Sequence, residues 1–206
     1  MQDTEEIGII VLAAGESKRF GSLKQLATFQ GKSLLRRAAE TAVSVGCGRV
    51  FVVLGAYPEK LIPELEALPL QVVYNQGWRS GIMSSIHTGL SRLIQQNNRV
   101  AGVLIMLCDQ PLVDPELINS LIEIFLNKKP LIAASKYSGT VGVPAICSSA
   151  LFNEILQFNA KGGAKELLIK YQDRLEVIEA PQAMLDIDTP QDYEILLTSF
   201  LPKSGG

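Results

Sequence analysis

A three-layer α/β fold on a mostly parallel, partly mixed central sheet is predicted by three features of this 206-residue chain. The run Ile7-Gly-Ile-Ile-Val-Leu-Ala13 is apolar with no polar alternation, and such strands are covered on both faces, as in parallel sheets. Apolar β-branched runs then alternate with stretches of helical period, which implies right-handed crossovers. Finally, the first run ends in a glycine-bearing loop, Gly15-Glu-Ser-Lys-Arg19-Phe-Gly21-Ser-Leu-Lys24, where ligands of open α/β sheets bind.

Taken in order, the strands are expected at Ile7–Ala13, Arg49–Leu54, Leu70–Tyr74, Ala101–Leu107, Leu131–Ala134 and Leu175–Ile178. The stretch Ser33–Val45 puts Leu34, Leu35, Ala38, Ala39 and Ala42 on one helical face, and Met83–Ile94 repeats the scheme with Ile86, Leu90 and Leu93. The segment Gly139–Ile146 reads as a strand reached through a flexible turn, followed by helices near Ser148–Phe158 and Gly163–Tyr171, so a mixed sheet edge is expected there. Thr189 and Pro190 start a final helix.

The first loop carries Arg19, which offers a rigid fork, and Lys24, a point charge, beside glycines that let backbone N–H groups approach an anion. A nucleotide triphosphate is the natural guest. Gly31-Lys32-Ser33 is a decoy, because Leu26 stands where the Walker pattern needs glycine, and Ser33 is better placed to cap the next helix. Gly46-Cys47-Gly48 closes a helix where the dinucleotide fingerprint would open one. A dehydrogenase is thereby disfavoured.

With 19 basic and 21 acidic residues, the chain has no global pull toward nucleic acid or an anionic membrane. Three separated cysteines make neither a disulfide scaffold nor a zinc knuckle. The acidic opening is not a secretory signal and no apolar run is long enough to span a bilayer, so a cytoplasmic protein with no membrane association is expected. The length suits a single domain over 1–206.

Asp109, in Cys108-Asp109-Gln110-Pro111, falls where a buried strand ends on the same sheet edge as the loop. It either serves a divalent cation bridging to phosphates or caps a turn before Pro111. Asp186 and Asp188 share a strand face by period two, unless Asp188 or Thr189 merely caps the last helix. His87, the only histidine, lies in an amphipathic helix pattern and suits packing better than catalysis. Trp78, with Arg79 and neighbouring glycines and hydroxyls, either lines a pocket for a flat ring or anchors the loop.

Taken jointly, these motifs resemble the nucleotidyltransferases that complete the molybdenum cofactor, especially the cytidylyltransferases that join CTP to molybdopterin. The resemblance is carried by Leu12-Ala-Ala-Gly15 with Arg19, Gly21 and Lys24, by Gly31-Lys32, by Asn75 with Trp78, Gly81, Met83, Ser84 and Ser85, by Cys108–Pro111, and by Asp186-Ile-Asp188-Thr189-Pro190 with Asp192. It implies a Rossmann-like nucleotidyltransferase fold, Mg²⁺, and transfer of a nucleoside monophosphate with release of pyrophosphate. Asp109 and Asp188, or Asp186 in its place, would then hold the metal. Arg19 and Lys24 would act with Asp109 in the transfer. Leu12, Ala13, Ala14, Gly15, Asn75, Trp78, Gly81, Ser84, Ser85 and Lys165 would bind substrate. Leu12-Ala-Ala-Gly15 is similar to the cytidylyl branch, whereas the guanylyl branch tends to have a second glycine before the last one, so the resemblance leans toward CTP over GTP. It also implies a nucleotide-binding part at about 7–110 and an acceptor-binding part at about 111–200.

One departure is that the relatives' Gly-Asp-x-Gly-Ala-Arg run reads Ala160-Lys161-Gly162-Gly163-Ala164-Lys165 here. The acceptor is therefore open between molybdopterin and a sugar or polyol phosphate, with a non-catalytic nucleotide or cofactor binder as the other class. A transient contact with a recipient molybdoenzyme is the expected protein partner.

Overall fold

The computed structural model describes residues 6–96, 99–158 and 164–200. Seven strands, β1 Ile7–Ala13, β2 Val50–Leu54, β3 Gln71–Tyr74, β4 Gly102–Leu107, β5 Ile132–Tyr137, β6 Thr140–Ser148 and β7 Leu175–Glu179, form one sheet in the order β3-β2-β1-β4-β6-β5-β7. Among the described strands of this sheet, β6 alone runs against its neighbours, β4 and β5. Every other pairing is parallel. The mostly parallel, partly mixed α/β fold expected from the sequence is the fold observed.

All seven residues of β1 are buried, because helices cover both faces. On one face α1 (Leu34–Ser44) and α3 (Pro115–Lys128) pack over Ile9, Val11 and Val52. On the other, α2 (Ile82–Gln96) and α4 (Phe152–Gln157) pack over Ile10, Phe51 and Val53. Fully burying each such side chain contributes about 1.5–3 kcal/mol. Gly89 lets α2 lie close to β1, since a Cβ there would stand 2.8 Å from Ile10. The helix α5 (Ala164–Lys170) adds Leu167 and Leu168 to the second layer.

Ser33 caps α1, its hydroxyl accepting from the Arg36 N–H at 3.0 Å, as its place before Leu34 suggested. The helix α3 lies outside the elements expected from the sequence, although Asp114 caps it, Pro115 opens it and Leu117, Ile118, Leu121 and Phe125 form its buried stripe. The strand expected to end at Ala134 continues to Tyr137 because it pairs with both β6 and β7. The segment around Asp186 and Asp188 is no strand. It is an extended passage tied by the Ile187 N–H to the Asp109 carbonyl at 2.9 Å, before α6 (Pro190–Phe200). Alternation survives there, with Ile187 buried in a small cluster beside Phe29, Leu34 and Leu196.

Among the described residues no helix is long and apolar enough to cross a membrane.

Candidate active site

The site lies beyond the carboxyl ends of β1 and β4. The loop after β1 turns at Ser17, a non-glycine residue with φ 58°, and at Gly21, with φ 80°. It ends in a single 3₁₀ turn, Lys24–Leu26, which brings Lys24 back under the strand ends.

There the Lys24 Nζ donates to Asp109 Oδ2 at 2.5 Å and to Asp188 Oδ1 at 2.7 Å, while Arg19 donates to Asp188 Oδ2 at 2.8 Å. Residues 85 and 164 positions from Lys24 in the chain thus meet on one ammonium. Burial works against the Lys24 charge, but the Asp109 and Asp188 carboxylates overcome it and hold the ammonium above its ordinary range. Burial also works against the Asp188 charge, and Lys24 and Arg19 outweigh it, so that carboxyl stays below its ordinary range. Lys24 therefore remains cationic, and Asp188 anionic, throughout the neutral range.

Neither acid caps a helix. The α6 cap falls to Thr189 and Asp192, whose carboxylate accepts from the backbone N–H of Asp188 and Thr189 and from the Thr189 hydroxyl. Asp186 sits beside this pair. Burial first, then the Asp109 charge, raises its carboxyl to about 6.

A cleft of about 630 Å³ opens beside the cluster, lined by Leu12–Gly15 at the end of β1 and the start of the loop, by Trp78–Arg79, Gly81, Ile82 and Ser85 from the opposite wall, and by Lys24 and Asp109 at its floor. Gly55 makes that wall possible, since a Cβ there would stand 2.6 Å from the Trp78 side chain and 2.7 Å from the Ala14 carbonyl. Nothing in the spacing of Gly55 marks it beforehand, because its neighbour Trp78 arrives from a different crossover.

Trp78 is half-buried against the second helical layer, and the Arg79 guanidinium stacks 4.3 Å from the centre of its ring. Trp78 packs on the wall and lines the cleft. Arg79 covers one face of the indole, so that face is closed to a base.

Asn75 and Ser84 do a different job from Ser85. The buried Asn75 amide donates to the Ser84 and Ser85 hydroxyls and its oxygen accepts from the Gly77 N–H. Ser84 in turn bonds the Gly77 and Gly81 carbonyls. These bonds shape the wall, and only Ser85 and Gly81 of this group reach the cleft surface.

Lys165 lies in the short helix α5, and the expected run at 160–163 falls outside the described residues. His87, in α2, has a buried Nε2 with no hydrogen-bond partner among the described residues and takes no part in the cluster. Burial pushes the Cys108 thiol, next to Asp109, far above its ordinary range, so it is no nucleophile.

The donors present suit a hard divalent cation. Asp109 Oδ1 and Asp186 Oδ1 are buried without a hydrogen-bond partner among the described residues, and carboxylate oxygens are the ligands such ions take. Among the described residues no three His, Cys, Asp or Glu side chains stand close enough to cage a metal by themselves. An ion here would need phosphate oxygens and water to complete its shell.

Residues 9–175 match the MobA-like NTP transferase domain. The chain belongs to that family. It is a nucleotidyltransferase by membership, with the α/β sheet of its relatives. A probable molybdenum cofactor guanylyltransferase from Aquifex aeolicus is 27% identical over 191 residues, covering 91% of this chain and 88% of that protein. The crystal structure of Rv0371c from Mycobacterium tuberculosis H37Rv in complex with manganese superposes with a TM-score of 0.79 at 25% identity, covering 94% of this chain and 99% of that one. A nicotine blue oxidoreductase from Paenarthrobacter nicotinovorans is 36% identical over 103 residues, and the matched region spans about half the length of that relative.

Proposed function

We propose that this protein transfers CMP from CTP to a molybdopterin-type acceptor, with Mg²⁺ and release of pyrophosphate. The observation that carries the proposal is the meeting of Lys24, Asp109, Asp188 and Arg19 at the mouth of the loop after β1.

An acceptor phosphate oxygen attacks the α-phosphorus of the nucleotide, the new P–O bond forms, and the bond to the bridging oxygen breaks so that pyrophosphate leaves with that electron pair. A phosphate nucleophile is already ionised near neutral pH, so alignment and charge neutralisation are what remains for the protein. Lys24 and Arg19 supply fixed positive charge toward the triphosphate, and the loop backbone from Leu12 to Gly15 shapes its seat. Asp109 and Asp188, with Asp186 beside them, would hold Mg²⁺, which when bound supplies charge neutralisation across the reacting phosphates.

The manganese complex of the Mycobacterium tuberculosis relative supports a divalent ion on this fold. The name of the Aquifex aeolicus relative supports molybdenum cofactor chemistry, with GTP as the competing donor. The similarity of Leu12-Ala-Ala-Gly15 to the cytidylyl branch favours CTP. The product would pass to a recipient molybdoenzyme.

The test is pyrophosphate release with purified protein, Mg²⁺ and molybdopterin, run in parallel with CTP and GTP. Release with CTP at ten times or more the GTP rate is expected. Release with GTP alone would move the donor assignment, release only with a sugar or polyol phosphate would move the acceptor, and nucleotide binding without release would make the protein a binder.

A further inference from the structure

We infer that Gln25 is a positioning residue of the nucleotide site, a clamp that turns carbonyl oxygens of the phosphate loop away from the triphosphate. The inference rests on the nucleotide-transfer reading above and adds to it a residue that neither the loop motif nor the charge cluster assigns.

Gln25 is 1% exposed, the most buried polar side chain of the cleft lining. Its amide N–H groups donate to the Gly15 carbonyl at 2.6 Å and to the Ala13 carbonyl at 3.3 Å. Its oxygen accepts from the Ser17 hydroxyl at 2.9 Å. Gly15 and Ser17 belong to the loop, and Ala13 is the last residue of β1 before it.

The neighbouring carbonyls are engaged as well. The Leu12 oxygen accepts from the Cys108 N–H at 3.2 Å and the Ala14 oxygen from the Ala56 N–H at 3.0 Å. From Leu12 to Gly15, every carbonyl thus has a protein donor, and Gln25 supplies two of the four. A carbonyl oxygen aimed at a polyphosphate repels it, whereas backbone N–H groups attract it. Tying the oxygens inward settles which end of each peptide dipole the substrate meets.

The same side chain steadies the turn. Ser17 holds a left-handed backbone conformation, which residues with a Cβ seldom adopt, and its hydroxyl is fastened to Gln25. Gln25 also follows Lys24 within the 3₁₀ turn, so anchoring one fixes the direction from which the other reaches Asp109 and Asp188.

Gln25→Met keeps the length of the side chain and removes every hydrogen bond. Gln25→Glu keeps the length and an acceptor but removes both donors. Ser17→Ala removes only the turn fastening. The single tryptophan of the chain, Trp78, lines the cleft, so its fluorescence reads binding of Mg-CTP and Mg-GTP directly. Both Gln25 variants are expected to weaken nucleotide binding at least tenfold, and Ser17→Ala about threefold, while the KM for the acceptor stays within twofold of wild type.

Nucleotide affinity within twofold of wild type in either folded Gln25 variant overturns the clamp, as does an equal loss of nucleotide and acceptor affinity, which marks a merely structural side chain. Should both Gln25 variants fail to fold, unchanged binding by Ser17→Ala overturns it. If the wild-type protein binds neither nucleotide, the nucleotide-transfer reading itself fails and the clamp fails with it.

Discussion

Asp109 and Asp188 reach the same ammonium by different physical means. Asp109 follows β4, a strand buried for nearly its whole length and paired in parallel with β1. Its place at the sheet edge is therefore dictated by the strand ladder. Asp188 lies on an irregular passage after β7, held by the Ile187 bond to Asp109, by burial of Ile187, and by the Thr189–Asp192 cap. The first acid is positioned by regular structure, the second by a handful of specific contacts. Chemistry in such a site depends on both, but robustness belongs to the first.

The largest expected effect comes from the ladder-positioned acid. Asp109→Asn should lower pyrophosphate release by about 10²–10³-fold or more with little loss of thermal stability, since β4 keeps its packing. Wild-type turnover would break the assignment of Asp109 to the reaction.

Lys24→Met comes next, with transfer slowed about 10²-fold and nucleotide binding weakened. It leaves Asp109 and Asp188 facing each other with no ammonium between them, so its unfolding midpoint should fall at pH 8 and recover in millimolar Mg²⁺. No recovery would mean that the two acids do not present their oxygens to a common cation.

Asp186 sharpens the comparison on the irregular side. Its carboxyl is raised from 3.8 to about 6, so the folded chain binds that proton more tightly than the unfolded chain. The cost of ionising it therefore grows as pH rises through this window and is complete above it. Asp186→Asn should raise the apo unfolding midpoint by a few degrees at pH 8 and leave it nearly unchanged at pH 3.5. A rise of equal size at both values would contradict this account of the burial of Asp186.

The smallest effect belongs to Arg19, whose side chain is 72% exposed in its pair with Asp188. Exposed pairs contribute about 0–1 kcal/mol, so Arg19→Ala should leave the unfolding midpoint within a degree or two while weakening nucleotide binding about three- to tenfold.

The sheet was legible where periodicity and burial coincide. Ile7–Ala13 and the stripes of α1 and α2 show their environment in their composition, and Asp109 stands out because a charge follows a buried strand. Asp188 was legible only through a short acidic pattern, and the strand expected to carry it is an irregular extended passage, because a contact across nearly eighty residues, not local periodicity, extends the chain there. Gly55 and Gln25 were invisible for the same reason, one making room for Trp78 from another crossover and the other reaching back ten or more residues to carbonyls that any sequence possesses. Asn75 shows the converse, since its motif is plain but its hydrogen bonds are spent shaping the wall.

The most direct test of the shared-cation claim is Mn²⁺ binding, followed by electron paramagnetic resonance, in wild type, Asp109→Asn and Asp188→Asn, each with a non-hydrolysable CTP analogue. One tightly bound ion is expected in the wild type, with at least a tenfold loss of affinity in each variant. Wild-type affinity in either variant would show that the two carboxylates do not serve one ion.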